Sequence, residues 1–212
     1  ACPAYSLENR NWKFPIAGEF SYKGHFEKQI ALKEVENLEK EGYDVRLSEV
    51  SAWSTLGYLS DPILSSMLVR KPGSLAALII HELTHGTLFV KNDLEFNENL
   101  ADFIGDHGAL LFLENTYGKE SQEYTDHVKS KDYNEHFTEK ISIGTVKLDS
   151  LFQTFSPEMA SYIKDSLKYD LIDKIMFQAE SDRYTYKGRG SINNAFFTAY
   201  RTYQGKQNEF ET

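Results

Sequence analysis

The sequence predicts an α+β fold with a small N-terminal sheet and a mainly helical C-terminal half. Apolar residues recur at helical spacing between Phe26 and Lys40, and Gly42 then marks the end of a helix. From Tyr43 to Ser48 apolar and polar residues alternate, a pattern typical of a half-buried strand. Longer segments with helical periodicity dominate from residue 74 onward. These three observations decide the fold class.

A single domain over residues 1–212 is long enough to bury a substantial core. Two helices, Leu75 to Val90 and Asn97 to Tyr117, are predicted in the middle of the chain, with Asn97 as the N-cap of the second. The sheet precedes them, and mostly helical segments with polar loops follow them. The three parts of the domain are about residues 1–70, 74–117 and 119–212.

Composition and charge exclude several classes of function. The net charge of -9 repels nucleic acids and anionic membrane surfaces, so neither is an expected partner. The longest apolar run, Leu75 to Ile80, is far shorter than the roughly 20 residues that span a bilayer, so no transmembrane helix is expected. The single cysteine, Cys2, cannot form an internal disulfide. A former lipid-attachment site and an ordinary free thiol both remain open for it.

His81-Glu82-Leu83-Thr84-His85 forms the pattern H-E-x-x-H. On a helix, residues four apart lie about 40° apart around the axis and one turn along it, so both imidazoles reach the same ion. Chance produces this pattern in a chain of this length with odds of about 1%, and the apolar flanks and nearby helix start favour a metal site. Zinc accepts imidazole nitrogen, and its catalytic sites have three protein ligands and one open position. We therefore expect Zn²⁺ on His81, His85 and one further residue.

Glu98 is the predicted third ligand. It follows a short turn after the motif helix, and two helices joined in this way pack antiparallel. Asp102 lies one turn beyond Glu98 on the same helix face. From there its carboxylate is expected to accept the free ring N–H of a histidine ligand, which fixes the tautomer and the ring orientation.

Glu82 is the predicted general base. It lies about 100° around the helix from His81, beside the ion rather than on it. Zinc lowers the pKa of a bound water towards about 7, and a neighbouring carboxylate takes the proton as that water attacks a carbonyl. The pattern therefore predicts hydrolysis of peptide bonds by a zinc-activated water.

In these motifs the chain resembles a family of predicted bacterial zinc aminopeptidases, a gluzincin-like group in which twelve residues separate H-E-x-x-H from a glutamate. The resemblance covers most of the chain in order. Its segments are Pro15-Ile-Ala-Gly18 with Tyr22-Lys-Gly24, Glu41-Gly-Tyr-Asp-Val45, Ser51-Ala-Trp-Ser-Thr-Leu-Gly57, Asp61-Pro-Ile-Leu64, Ile80-His-Glu-Leu-Thr-His85, Leu88-Phe-Val-Lys91, Phe96-Asn-Glu98, and Asn193-Asn-Ala195 with Tyr200 or Tyr203.

The resemblance implies a zincin-like metallopeptidase fold and aminopeptidase activity on peptide or protein substrates. It assigns His81, His85 and Glu98 as zinc ligands and Glu82 as the catalytic base. It also implies a setting in the bacterial cell envelope or periplasm, with the cytoplasm as the alternative.

Substrate contacts are predicted from two further segments. Ser54, Thr55 and Gly57 are expected on a strand beside the metal helix that pairs with the substrate backbone, although a core strand and turn explain them equally well. Tyr200 is the predicted stabiliser of the oxyanion. A packing role is its alternative. The competing residues for the oxyanion are Tyr203, His107 and His136.

Three functions remain open from the residues alone. An aminopeptidase requires a free amino end, and no acidic anchor for that group stands out in the sequence. An endopeptidase is the second reading. A catalytically silent zinc-binding or regulatory protein is the third, and Glu82 weighs against it because a structural zinc site needs no base and tends to have four protein ligands.

Overall fold

A computed structural model describes residues 1–14, 18–48, 63–91, 93–179, 187–188 and 190–204, without the side chains of 18 and 201–204. Its strands are β1 (Cys2–Pro3), β2 (Trp12–Phe14), β3 (Gly18–Phe20) and β4 (Tyr43–Asp44). Its helices are α1 (Lys28–Lys40), α2 (Pro72–Thr87), α3 (Leu94–Tyr117), α4 (Gln122–Gln153), α5 (Ser161–Ala179) and α6 (Asn194–Gln204). Helices thus predominate over short strands, in agreement with the predicted α+β class. None of the helices in these ranges is both long and apolar enough to span a bilayer.

The chain forms two compact units. Unit 1 comprises residues 1–48 and 137–201, and unit 2 comprises residues 49–136 and 202–212. Unit 1 is therefore built from two separate stretches of sequence. The single domain predicted over 1–212, with its three parts, remains a prediction.

The β-structure of unit 1 consists of two antiparallel pairs among the described residues. In β1 and β4 Cys2 lies opposite Asp44, and in β2 and β3 Trp12 lies opposite Phe20. The strand predicted over residues 43–48 is thus limited to Tyr43–Asp44, because its partner β1 contributes only two residues.

A buried ion pair and its hydrogen bonds join four segments of unit 1. The ammonium group of Lys168, on α5, is 1% exposed and donates to Asp44 Oδ2 at 2.7 Å and to the carbonyl of Ala4 at 2.9 Å. The same Asp44 oxygen accepts the backbone N–H of Asn194, at the start of α6, at 3.1 Å. Because a buried charge is tolerated only when it is paired, these contacts fix β4, the chain after β1, α5 and α6 together.

The core of unit 1 forms where the second half of α4 packs on α5. Gly144 provides the room for this contact, since a Cβ added there would lie 2.4 Å from a methyl carbon of Ile175. The fully buried apolar side chains of the unit include Cys2, Ile141, Leu148, Ile172, Met176 and Phe197. Cys2 is therefore a core residue.

In unit 2 the helix boundaries differ from the predicted ones. Helix α2 begins at Pro72 rather than Leu75, because proline suits the first helical position, where no backbone N–H is needed. It ends at Thr87 rather than Val90. The second helix begins at Leu94, since the Asp93 side chain accepts the backbone N–H of Phe96 at 3.1 Å and caps it. The predicted N-cap, Asn97, lies inside this helix.

Replacing Lys168 by methionine should lower the free energy of unfolding by about 3–5 kcal/mol, because Asp44 would keep a buried charge without its partner. Methionine preserves most of the side-chain volume, so the loss reports the charge. Denaturation in urea measures it. The exposed Lys174 on the same helix serves as control, and Lys174→Met should change stability by less than about 0.5 kcal/mol. Adding Asp44→Asn to Lys168→Met should restore part of the lost stability, because it removes the unpaired charge. If it does not, the loss in Lys168→Met is not caused by that charge.

Candidate metal centre

Helices α2 and α3 approach each other most closely at Gly105. A Cβ added to Gly105 would lie 2.8 Å from the backbone oxygen of Ala77 and 3.4 Å from the Cβ of His81. The contact is therefore between the backbones of the two helices, and only glycine fits there. About one turn further along α3, Gly108 instead faces a side chain, that of Ile80. This close approach brings the side chain of His81 within hydrogen-bond distance of Asp102 on α3.

The connection between the two helices is fixed by the side chain of Asn97. Its amide oxygen accepts the backbone N–H of Val90 at 2.8 Å, and its NH₂ group donates to the carbonyl of Val90 at 2.7 Å. Both polar groups of Val90 are used in this way, so they do not extend α2, which explains its end at Thr87. Asn97 is 2% exposed and directly precedes Glu98. The same two hydrogen bonds thus set the position of Glu98.

Three predicted ligands lie together. The Nε2 atoms of His81 and His85 are 3.1 Å apart. They lie 3.5 Å and 3.7 Å, respectively, from the two carboxylate oxygens of Glu98. In a tetrahedral zinc site with bonds near 2.05 Å, ligand atoms are about 3.3 Å apart. The separations of these three side chains therefore fit a single ion of that size.

Within the described ranges these three residues form the one group of His, Cys, Asp and Glu side chains with the spacing of a metal site. His85 and Glu98 are buried and His81 is half-buried. The group can therefore hold a metal ion, and no fourth side chain of these types joins it among the residues described. The chemistry of two imidazoles and one carboxylate suits zinc.

Asp102 supports the group from α3. Its Oδ1 lies 2.8 Å from Nδ1 of His81, and this ring nitrogen is the donor because the carboxylate only accepts. With the Nδ1 proton held there, Nε2 of His81 is directed towards Glu98 and His85. The ring is thus oriented with its second nitrogen facing the metal position.

The protonation of the two histidines differs. Burial disfavours a charged His81, but the hydrogen bonds and negative charges of Asp102 and Glu98 outweigh it and raise the pKa of His81 to about 10. Burial lowers the pKa of His85, and the attraction of Glu98 does not compensate. In the metal-free protein near neutral pH His81 is therefore charged and His85 neutral.

The remaining predicted residues are less closely defined. Glu82 is half-buried on α2, next to His81 in sequence, and its role as base remains a prediction. Ser54, Thr55 and Gly57 lie outside the described residues. Tyr200 belongs to unit 1, where its ring packs against those of Phe196 at 4.9 Å and Phe137 at 5.6 Å between centroids. Its role at the oxyanion also remains a prediction.

Two histidines considered for the oxyanion have other contacts. Nδ1 of His107 lies 2.9 Å from the carbonyl of Phe103, one turn earlier on α3, and its ring packs on the ring of that residue. Nδ1 of His136 lies 2.9 Å from the carbonyl of Asp132. Both histidines are exposed.

Sequence reasoning missed the role of Asn97. It assigned this residue to the start of the helix, whereas Asp93 caps the helix and Asn97 binds Val90. Asp93 is itself a favourable N-cap residue, placed directly before the helical pattern, and that signal was available. The double hydrogen bond to Val90 has no sequence signature because it depends on how the connection folds back.

Comparison with known proteins identifies one family. A family model described as Putative aminopeptidase matches residues 1–212. No curated protein matches the chain, and no solved structure matches it. The match confirms the aminopeptidase family predicted from the sequence, whereas the zincin-like fold remains a prediction.

Gly105→Ala should weaken the binding of an added metal ion, tested with Zn²⁺, at least about tenfold, because the added methyl group pushes the backbone of α2 away from α3 beside His81. Zinc affinity, measured by competition with a chelator, and thermal unfolding test this. Gly108→Ala is the matched control, since its methyl group meets the mobile end of the Ile80 side chain instead. Equal zinc affinity in Gly105→Ala and the unmodified protein would contradict the assigned role.

Asp102→Ala should weaken the binding of an added metal ion, tested with Zn²⁺, by about 10- to 100-fold, because His81 loses the partner that orients its ring. In the metal-free protein the pKa of His81 should also fall, because burial lowers this pKa and one of the two carboxylates that raise it would be gone. Chelator competition and an NMR titration of the ring measure the two effects. Asp102→Asn should lie in between, as an amide oxygen still accepts the hydrogen bond but carries no charge. The exposed Asp132→Ala serves as control, and a pKa of His81 unchanged in Asp102→Ala would refute the argument.

Proposed function

Because the chain belongs to the Putative aminopeptidase family, we propose that it is a zinc-dependent peptidase that removes residues from the free amino ends of peptides. His81, His85 and Glu98 are the zinc ligands in this proposal, and Glu82 is the general base. The observation that supports it is the close grouping of the ligand atoms: the two Nε2 atoms are 3.1 Å apart, and they lie 3.5 Å and 3.7 Å from the two carboxylate oxygens of Glu98. An ion with zinc's bond lengths fits between side chains at these separations.

Zinc is proposed because of the type and number of the ligands. Two neutral imidazoles and a carboxylate form a donor set common in catalytic zinc sites. Three protein ligands leave a fourth position of a tetrahedron for water or substrate, and no fourth candidate joins the group in the described part of the chain. This arrangement favours catalysis over the silent, purely structural alternative.

Each side chain then has a defined task. When bound, zinc supplies a Lewis acid that polarises the substrate carbonyl and makes a water acidic near neutral pH. Glu82 takes the proton from the attacking water and later gives it to the departing amine. Asp102 keeps the Nδ1 proton of His81, so that Nε2 remains directed at the metal position. Glu98 balances part of the positive charge of the ion from a buried position.

The preference for free amino ends is proposed because the family is described as a putative aminopeptidase. The endopeptidase reading differs from it only in the substrate ends that are accepted. The cell envelope or periplasm, implied by the sequence resemblance, is the proposed setting.

Glu82→Gln should retain zinc while peptide hydrolysis falls by about 10²- to 10⁴-fold, because the amide cannot accept the proton of the water. Mass spectrometry of matched free and N-acetylated peptides measures hydrolysis, and elemental analysis measures zinc. Glu114→Gln, on the partly exposed surface of α3, is the control and should keep full activity.

Stepwise loss of residues from free ends only supports an aminopeptidase. Cuts inside both peptide sets mean an endopeptidase at the same centre. Full activity of Glu82→Gln, or activity that survives complete removal of zinc, would refute the mechanism.

A further inference from the structure

Three apolar residues directly after the metal helix are exposed. Leu88, Phe89 and Val90, here called the apolar segment, expose 50%, 39% and 40% of their surface. Single exposed apolar residues need no explanation, whereas a run of three beside a candidate active centre does. The apolar segment was part of the sequence resemblance, but no role in the proposed function has yet been assigned to it.

Both ends of the apolar segment are tied to metal ligands. At its start, the backbone N–H of Leu88 donates to the carbonyl of Thr84 at 2.9 Å, and Thr84 adjoins His85. At its end, Val90 forms the two hydrogen bonds with Asn97, which adjoins Glu98. Each end of the segment is therefore hydrogen-bonded to the chain neighbour of a proposed ligand, Thr84 beside His85 and Asn97 beside Glu98. From these two attachments we infer that the segment lies near the metal position.

The backbone of the segment favours contacts on its surface. Leu88 is extended, with φ -139° and ψ 122°, so successive side chains point to opposite sides. All three side chains of the segment are exposed. The hydrogen bonds to Asn97 hold Val90 in place, so binding a ligand here costs little ordering of the backbone.

Other exposed apolar residues of unit 2 do not share this position. Leu83 is 64% exposed, but it lies about 160° around α2 from each of the two histidines and so faces away from the metal position. Leu111 is 61% exposed and lies about 20 Å along α3 from Glu98. Exposure alone therefore does not distinguish the apolar segment, but its place between two ligands does.

We propose that the apolar segment binds a large apolar side chain of the peptide substrate, next to the bond that is cleaved. The inference rests on the proposed function. It adds the substrate class, namely peptides with a large apolar residue such as Leu, Phe or Met next to the cleaved bond. The occupant is apolar because contact with Leu88 and Phe89 removes apolar surface of both partners from water. A charged side chain in the same place would lose hydration without a partner.

The test measures binding separately from turnover. Zinc-loaded Glu82→Gln protein is titrated by calorimetry with Gly-Gly-Gly-Gly, Phe-Gly-Gly-Gly and Gly-Phe-Gly-Gly. We expect at least one phenylalanine peptide to bind about tenfold or more tightly than tetraglycine. Leu88→Ser and Phe89→Ser, each in the same background, should remove most of this difference while zinc affinity and thermal unfolding stay unchanged. Leu111→Ser should retain it.

Equal binding of the phenylalanine peptides and tetraglycine overturns the inference. A preference for phenylalanine that survives in both Leu88→Ser and Phe89→Ser also overturns it. So does a preference that Leu111→Ser removes to the same extent. Failure of the proposed function gives a different result. In that case the zinc-loaded protein with Glu82 intact hydrolyses no peptide, whatever the binding data show. Conversely, Glu82-dependent hydrolysis of all three peptides at equal rates preserves the function and removes the apolar preference.

Discussion

The contact between the backbones of α2 and α3 at Gly105 is the constraint on which the candidate centre depends. The H-E-x-x-H pattern places two imidazoles on one face of α2, but it does not by itself provide a third ligand. Only when α3 lies against Ala77 does Glu98 come within 4 Å of both imidazoles and Asp102 within hydrogen-bond distance of His81. A side chain of any size between the helices would separate the two halves of the centre.

A second constraint sets the connection between the same helices. The side-chain amide of Asn97 forms two hydrogen bonds with the backbone of Val90, as a neighbouring strand would. These bonds keep Val90 out of α2 and fix the residue before Glu98. One buried side chain therefore links the helix boundary, the third ligand and the exposed apolar segment. Hydrogen bonds from a buried side chain favour one arrangement of the chain, and the two bonds of Asn97 act in this way.

Much of this centre could be predicted from sequence because its geometry is local. Residues His81 and His85 share a helix face by their spacing alone, and the short connection to Glu98 and Asp102 leaves the second helix little freedom. The Asp93 cap had a local signal in the sequence, whereas the hydrogen bonds of Asn97 to Val90 depend on the tertiary path of that connection and had none. The Lys168 and Asp44 pair was missed for a similar reason, since 124 residues separate its members. A residue such as Tyr200, distant in sequence from the motif, carries no local signal of its role.

That ion pair also bears on the order in which the chain acquires its structure. Unit 1 needs residues 1–48 and residues 137–201, so its core closes a very long loop, whereas the α2 and α3 hairpin forms from neighbours in sequence. Contacts of high sequence separation form slowly, and contacts of low separation form fast. During synthesis from the amino end, the metal-ligand hairpin is complete while β1 and β4 still lack α5. The hairpin that carries the three candidate ligands is thus expected to fold early, and the unit formed by residues 1–48 and 137–201 is expected to close later.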